Sequence, residues 1–125
     1  MKYVIEINET SELLVLRLEG DVDYSSLQKA IFAADEFLEN QPNLNMVING
    51  NLIERFNIPN HVCQQVAPSL FKKANACAFF SSAPLAFGMA RVIQTYSFNN
   101  AFAVYKSFEE ALSFVKADQQ KQYVQ

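Results

Sequence analysis

The side chains in this sequence that could perform catalysis or bind a metal are few and widely spaced. His61 is the only histidine, and Cys63 and Cys77 are the only cysteines. A general base or metal ligand is usually a histidine backed by further donors, and the sequence has no second histidine and no CxxC pair. Residues two positions apart on a helix point in different directions, so His61 and Cys63 would not form a base–nucleophile pair. We therefore expect no catalytic residues, no metal site and no cofactor.

The composition favours one α/β domain with a substantial core. Half of the 125 residues are apolar and 13% are aromatic, which is ample material for a core. Ten Lys and Arg against thirteen Asp and Glu give a net charge of −3, and no window forms the basic patch typical of nucleic-acid binding. No apolar run approaches the ~20 residues that span a bilayer. The start MKYVIEI lacks a signal-peptide pattern and the cysteines fit no disulfide pattern, so we expect a cytoplasmic protein with reduced thiols.

The N-terminal third predicts a β-hairpin followed by a helix. Lys2–Ile7 alternates in polarity, a polar turn follows, and a second β-rich run, Leu13–Leu18, is closed by Gly20. Asp21–Ser26 is rich in helix-capping residues. Apolar residues then recur every three or four positions, which predicts an amphipathic helix that ends before Pro42. These apolar positions are Leu27, Ala30, Ile31, Ala34, Phe37 and Leu38.

The middle of the chain predicts a third strand and an interrupted helix. Leu44–Ile48 is short and β-like, whereas the pattern of Leu52–Asn57 indicates a loop or an irregular turn. A second helix is expected to start at Pro59 and Asn60. Pro68 lies inside it and predicts a kink or an early stop near Ala67, because proline cannot continue a helix. The apolar positions of this helix are Val62, Val66, Leu70 and Phe71.

The C-terminal third predicts two strands and two helices. Ala76–Phe80 is almost wholly apolar, as in a strand covered on both faces, and Ala101–Tyr105 is the last strand. Ser82 caps the third helix, and Ser107 opens the fourth in a capping box with Glu110. The apolar stripe of the third helix is Leu85, Met89, Val92, Ile93 and Tyr96, and that of the fourth is Phe108, Ala111, Leu112 and Val115.

The resulting order of elements, β-β-α-β-α-β-α-β-α, predicts a five-stranded mixed sheet with four helices. The first two strands form an antiparallel hairpin, and the later strands alternate with helices, which requires parallel crossover connections. We expect a single domain over residues 1–117. Residues 118–125 are polar, and we expect them to form a frayed tail or an extension of the last helix.

Two C-terminal stretches resemble a known family. Ala76–Phe80 is followed by Ser82–Arg91, and Val104–Leu112 combines the end of a strand with the residues Ser-Phe-Glu-Glu-Ala-Leu. Together with the order of elements, these residues resemble the STAS/SpoIIAA-like superfamily, and most closely its SpoIIAA-like branch, which is also grouped with lipid-binding SEC14-type domains. The resemblance implies the SpoIIAA-like fold and a non-enzymatic role in interaction or regulation.

The resemblance does not extend to the best-known switch of that superfamily. In its anti-sigma-factor antagonists, a phosphorylatable serine lies between the third strand and the following helix. The corresponding segment here is Asn49–Arg55, which contains no Ser, Thr or Asp. A kinase switch needs a hydroxyl to accept the phosphate, so this mechanism is not carried over. Ser81 and Ser82 lie at a different strand–helix junction and do not replace that serine.

Several residues of the third helix remain as candidates for binding. Ser81 and Ser82 precede a helix whose first backbone N–H groups could bind an anion, although simple capping also accounts for both serines. Arg91 is charged on an otherwise apolar helix and must reach solvent or a partner. Gly88 in the same helix predicts a close approach to the sheet or to another helix.

The aromatic residues suit a Phe-rich core, which we favour, or an apolar pocket or dimer face. They are Phe56, Phe71, Phe79, Phe80, Phe87, Tyr96 and Phe98.

Three functions are open for this sequence. The leading hypothesis is a homodimeric interaction module, and the alternative is a binder of a lipid or other apolar small molecule, including at a membrane surface. The candidate ligand or interface residues are Tyr24, Arg55, Phe56, Phe87, Met89, Arg91 and Tyr96. An enzyme is the third hypothesis, and it requires polar side chains to converge in one cleft; these are Tyr24, Glu54, His61 and Arg91.

Overall fold

The strands and helices follow one another in the predicted order. The computed structural model describes residues 1–8, 10–69, 76–97 and 102–124. The strands are β1 (Lys2–Asn8), β2 (Leu13–Asp23), β3 (Asn45–Asn57), β4 (Cys77–Phe80) and β5 (Phe102–Tyr105). The helices are α1 (Tyr24–Asn40), α2 (Asn60–Val66) with a 3-10 turn at Ala67–Ser69, α3 (Pro84–Ser97) and α4 (Phe108–Val124). The predicted fold class is confirmed. The predicted positions of Leu70, Phe71, Phe98 and Ala101 lie outside the described residues.

The strands form one mixed sheet in the order β1-β2-β3-β4-β5. β1 pairs antiparallel with β2, so that Lys2 lies opposite Glu19 and Asn8 opposite Leu13. The pairs β2–β3, β3–β4 and β4–β5 are parallel. Parallel neighbours need crossover connections, and the segments that contain α1, α2 and α3 supply them. The carboxyl ends of the parallel strands therefore meet at one edge of the sheet.

Different helices cover the two faces of the sheet. On one face, α1, α2 and α3 pack over a large cluster that includes Leu14, Leu16 and Phe79. On the other face, α4 packs Ala111 and Val115 into a smaller cluster. Every residue of β4 is buried, which confirms that its apolar run is covered on both sides.

α1 begins three residues earlier than its apolar spacing predicts, because Asp23 caps it. The backbone N–H of Ser26 donates to the Asp23 carboxylate at 2.8 Å, and the N–H of Asp23 donates to the Ser26 hydroxyl at 3.2 Å. Hydrogen bonding to the Asp23 carboxylate, first from the backbone N–H of Ser26 and then from its side chain, lowers the pKa of Asp23. Phe37, predicted to face the core, is instead 43% exposed, because it lies at the margin of the stripe. The buried residues of the helix are Leu27, Ala30, Ile31, Ala34 and Leu38.

β3 continues where the sequence pattern predicted a loop. Leu52–Asn57 pairs with Glu19–Asp23, so β2 also extends past its predicted end. The β2–β3 register shifts after Arg17 and again after Gly20, and at each shift β3 contains one residue more than β2. Such bulges interrupt the alternation of buried and exposed side chains by which a strand is recognised. Gly20 has a φ of +85°, a conformation that side chains disfavour.

The break in the second helix is confirmed, but the buried face of the third helix differs from the prediction. α2 ends at Val66 and the chain continues as a 3-10 turn that contains Pro68. α3 packs through the side chains of Ala86, Ala90, Ile93 and Ser97. Leu85, predicted to be buried, is 58% exposed. The side of the helix that carries the small residues packs against the sheet instead, because small side chains allow a close approach. A Cβ added to Gly88 would meet nothing within 4 Å, so the close approach predicted there is wrong.

The predicted start of α4 is confirmed. The Ser107 hydroxyl accepts a hydrogen bond from the N–H of Glu110 at 3.3 Å and donates one to its carboxylate at 3.1 Å. Phe108, predicted to face inward, is 38% exposed and packs edge-on against Phe80, with 5.6 Å between ring centroids. Among the described residues, no helix has both the length and the apolar character that crossing a membrane requires.

Candidate functional site

Three chain segments meet at the carboxyl ends of β4 and β5, beside the middle of β3. They are Asn49–Asn51 within β3, Ser81–Ser82 after β4 and Lys106–Ser107 after β5. Asn49 lies opposite Phe80 in the sheet register, and Phe80 lies opposite Tyr105. The residues that follow are therefore neighbours, at the edge where parallel sheets usually bind ligands. We call these three segments, together with the first turns of α3, the carboxyl edge.

Hydrogen bonds from the two serines hold the carboxyl edge together. The buried Ser81 hydroxyl donates to the carbonyl of Gly50 at 3.1 Å, and the Ser81 N–H donates to the carbonyl of Tyr105 at 3.2 Å. The backbone N–H of Ser82 donates to the Asn51 side-chain oxygen at 2.8 Å, and the Ser82 hydroxyl donates to the same atom at 3.3 Å. Side chains and backbone of β3, β4 and β5 are thus linked in one network.

The same network uses the N–H groups that an anion at Ser81 and Ser82 would need. The N–H of Ser82 is bonded to Asn51, and the N–H of Ala83 donates to the Ser81 hydroxyl at 3.1 Å. An anion would have to displace the Asn51 side chain to reach the N–H of Ser82, and the Ser81 hydroxyl to reach the N–H of Ala83. Hydrogen bonds within the carboxyl edge therefore account for both serines without a ligand. The predicted capping of α3 by Ser82 is wrong, because its hydroxyl is bonded to Asn51 and no N–H of the described helix donates to it.

An aromatic ring with two cations beside it lies next to this network. The Arg91 guanidinium carbon is 5.9 Å from the ring centroid of Phe87, and the Lys106 ammonium nitrogen is 5.5 Å from it. Arg91 follows Phe87 by one helical turn, and Lys106 follows β5. The ring is half-buried, whereas both cations are exposed. No ion pair among the described residues includes either cation. Such cation–π contacts orient charged groups while leaving them accessible to a partner.

Three of the other candidate residues lie at the end of the β2–β3 ribbon. Arg55 is exposed and opposite Asp21, and Phe56 is half-buried and opposite Val22. Tyr24 is the first residue of α1, and it packs with Phe56 against the larger core cluster. These three residues lie on β3 and at the start of α1, whereas Phe87 and Arg91 lie on α3.

The last two candidates serve the packing of α3. Met89 is half-buried against the larger core cluster. The Tyr96 hydroxyl accepts a hydrogen bond from the Gln64 amide at 3.2 Å, which links α3 to α2. Of the seven ligand or interface candidates, the structure therefore brings together Phe87 and Arg91 at the carboxyl edge.

The enzyme hypothesis depends on four polar side chains, all of which lie among the described residues. No hydrogen bond or ion pair in this part of the chain joins any two of Tyr24, Glu54, His61 and Arg91, and no group of three His, Cys, Asp or Glu could hold a metal there. Cys63 and Cys77 are free and buried. Burial raises the pKa of the Cys63 thiol and raises that of Cys77 well above its ordinary value. A thiol that stays protonated is a poor nucleophile and a poor metal ligand.

Sequence reasoning missed two features. Lys106 was not among the candidates, although its place between the last strand and a capping box puts it at the carboxyl edge.

The second feature is an open groove of about 540 Å³ between β1 and α1. Phe32 lies at the centre of this groove and is 68% exposed. Its position outside the apolar stripe of α1 was the feature of the sequence that could have indicated the groove. We call this surface the α1 groove; it is lined by Tyr3, Gln28, Lys29, Phe32, Ala33 and Glu36.

The backbone resembles solved structures over nearly its whole length. An anti-sigma-factor antagonist from Mycobacterium paratuberculosis superimposes with a TM-score of 0.62 over 92% of this chain and 93% of its own, at 16% sequence identity. A DUF3478-family protein with a SpoIIAA-like fold, from Shewanella loihica, superimposes with a TM-score of 0.58 over 90% of this chain and 91% of its own, at 14% identity.

The anti-sigma-factor antagonist SpoIIAA in its unphosphorylated form superimposes with a TM-score of 0.57, over 92% of this chain and 98% of its own, at 18% identity. No protein-family model and no curated protein matches the chain. These structural likenesses confirm the predicted SpoIIAA-like fold. A fold is shared by proteins of many functions, so the role has to be argued from the surfaces.

Proposed function

We propose that this chain, which has the SpoIIAA-like fold, is a non-enzymatic regulatory module that binds another protein through the carboxyl edge. The observation that carries the proposal is the pair of exposed cations, Arg91 and Lys106, beside the ring of Phe87. A half-buried ring with two accessible cations suits an acidic segment that also presents an aromatic side chain. Two of the similar proteins are anti-sigma-factor antagonists, which supports a regulatory role by analogy of fold.

In this proposal, partner binding is not switched by phosphorylation of the β3 region. Asn49–Arg55 contains no Ser, Thr or Asp, and it lies inside β3 rather than in a loop before a helix. Ser81 at the carboxyl edge is buried, and the hydroxyl of Ser82 already bonds to Asn51. The partner would therefore meet a surface that is already assembled, and its own charge would control the affinity.

The proposal includes a homodimer in the cytoplasm. Two free, buried thiols suit a reducing compartment. An exposed aromatic groove on α1 supplies a surface on which a second copy could pack. Sedimentation at high protein concentration tests the dimer, and a strictly monomeric species would contradict it.

The partner surface can be tested without knowing the partner. A random peptide library displayed on phage is selected on the immobilised protein, and we expect enrichment of peptides that combine Asp or Glu with an aromatic residue. Their affinity, measured by fluorescence anisotropy, should fall with added salt. The double variant Arg91→Glu, Lys106→Glu should lose binding, whereas Lys116→Glu, an exposed charge reversal on α4, should keep it. Equal binding by the double variant, or no enrichment of acidic peptides, would contradict the proposal.

Binding of an apolar small molecule is the second candidate function. The supporting observation is the α1 groove, since its volume of about 540 Å³ lies in the range of small-molecule sites. A ligand present at a hundred times its dissociation constant adds about 2.7 kcal/mol of stability. A thermal shift with oleate or phospholipid would support this candidate, and the absence of any shift, with no co-purified ligand in native mass spectrometry, would contradict it.

A further inference from the structure

The exposed side of α1 carries opposite charges two helical turns apart, with an aromatic residue between them. Lys29 and Glu36 are seven residues apart, which places them on the same side of the helix about 10 Å apart along its axis. Phe32 lies between them and is 68% exposed, the largest value among the exposed large hydrophobic residues. The buried residues of α1 occupy the opposite side. This surface therefore has an apolar centre and charged ends of opposite sign.

Neither charge finds a partner within its own helix. Lys29 has no acidic residue three or four positions away, and Glu36 has no basic residue at those spacings. Within the part of the chain that the structure describes, no ion pair includes Lys29 or Glu36. Both charges are thus available to a molecule that covers the groove.

An antiparallel second copy of α1 matches this pattern. If a two-fold axis passes between Phe32 and Ala33, each Lys29 faces the Glu36 of the other copy. Each Phe32 then faces the small side chain of Ala33 in the other copy, which leaves room for the ring. A parallel arrangement would place Lys29 against Lys29 and Glu36 against Glu36, which is unfavourable. A two-fold interface uses the same patch on both copies, and this patch is complementary to itself only when antiparallel.

We propose that a second copy of this chain occupies the α1 groove, with the two α1 helices antiparallel about an axis between Phe32 and Ala33. The inference rests on the homodimer of the proposed function and assigns its interface. A fatty acid would engage Lys29 and leave Glu36 unused, whereas the second copy engages both. One helix of 17 residues is about 25 Å long, so the buried area falls at the small end of protein interfaces, where complexes are weak. The dimer is therefore expected to dissociate on dilution.

Charge reversal tests the arrangement because the two-fold axis fixes its outcome. Lys29→Glu places four acidic side chains at the two ion-pair positions, and Glu36→Lys places four basic ones there. Each single variant should weaken the dimer, measured by sedimentation velocity from about 10 µM to 1 mM, by at least about tenfold in Kd. An equimolar mixture of the two variants should form a heterodimer, and Lys29→Glu combined with Glu36→Lys in one chain should restore the homodimer.

The apolar centre is tested with a matched pair of truncations. Phe32→Ala should weaken the dimer, whereas Leu52→Ala, which truncates a large exposed side chain of β3, should leave it unchanged. Circular dichroism checks that each variant remains folded. If the dimer tolerates all the α1 variants, the proposed interface is wrong but the homodimer remains. If the protein stays monomeric at 1 mM, both the interface and the homodimer are wrong. If it is a monomer whose oleate-induced thermal shift is lost in Phe32→Ala, the groove binds a ligand instead. The peptide-binding test at Arg91 and Lys106 is independent of all three outcomes.

Discussion

The packing of Phe79 over Gly50 offers a direct test of how β3 and β4 are joined at the carboxyl edge. An alanine Cβ at position 50 would lie 2.3 Å from Cζ and 2.7 Å from Cε2 of Phe79, whereas carbon atoms in good contact are about 3.5–4.0 Å apart. The ring is 4% exposed and cannot swing into solvent. Either the ring or the backbone must move, so we expect Gly50→Ala to destabilise the protein.

Two opposing contributions set the size of the effect. Forcing an extra methyl group into a packed core costs about 1–3 kcal/mol. Replacing a strand glycine with alanine recovers about 0.5–1 kcal/mol, because glycine loses more conformational freedom on folding. Taking the middle of each range, the net loss in the free energy of unfolding should be about 1 kcal/mol. With a urea m-value of about 2 kcal/mol/M, the midpoint falls by about 0.5 M.

Urea unfolding followed by circular dichroism measures this loss. Phe79→Leu removes the ring atoms that the new methyl group meets. The variant that combines it with Gly50→Ala should therefore be more stable than the two separate losses predict, by at least about 0.5 kcal/mol. Gly88→Ala is the matched control, because a Cβ there meets nothing within 4 Å. That change lies in a helix and should raise stability by up to about 1 kcal/mol.

Two results would refute the reasoning. Gly50→Ala could match the wild type in stability while Gly88→Ala gains, which would mean that the Phe79 ring does not pack over Gly50. Alternatively, the losses of Gly50→Ala and Phe79→Leu could add without coupling. In that case, the unfavourable contact of the new methyl group would be with a group other than the Phe79 ring.

Three further predictions concern buried or capping groups. Asn45 is buried, and its amide N–H donates to the carbonyl of Val115 at 3.4 Å, whereas its side-chain oxygen has no hydrogen-bond partner among the described residues. Asn45→Leu should therefore be at least as stable as the wild type in urea unfolding, whereas Asn45→Asp should be less stable at pH 7. A lower stability for the Leu variant would contradict this. Cys63 and Cys77 should react with Ellman's reagent only as the protein unfolds, because burial raises the pKa of both thiols; rapid reaction of either thiol in the native state would show that it is accessible. The folded pKa of Asp23 is lowered, so its charge stabilises the fold above the ordinary value of 3.8 and ceases to do so as the pH falls through the folded value. The difference in Tm between wild type and Asp23→Asn should accordingly be constant near neutral pH and change below about pH 4, and a pH-independent difference would count against the cap.

Elements with uninterrupted local patterns were predictable from the sequence. The N-terminal hairpin alternates regularly, β4 is an unbroken apolar run, and Ser107 and Glu110 carry the spacing of a capping box. In each case the signal lies within a few adjacent residues, and the tertiary structure does not override it. The order of these elements was then sufficient to predict a mixed sheet and its SpoIIAA-like resemblance.

The predictions that failed depended on contacts between distant residues. Two bulges against β2 disrupt the alternation of Leu52–Asn57, so its strand character appears only when β2 is placed beside it. α3 packs through its alanines, and the pattern of large apolar residues that includes Leu85 could not reveal this. The ring of Phe87 was a candidate from the start, but its second cation comes from Lys106, after the next strand.

The extension of β3 past the end of β4 implies that one strand will show two levels of protection from hydrogen exchange. Among the described elements, Met46–Asn49 is bonded to a strand on each side, whereas Leu52–Asn57 is bonded to β2 alone. Opening the first part requires two ladders to separate, but opening the second requires only one. Amide protons of Leu52–Asn57 should therefore exchange through local openings of lower free energy. The end of β3 would then be free to move while its beginning remains part of the rigid sheet.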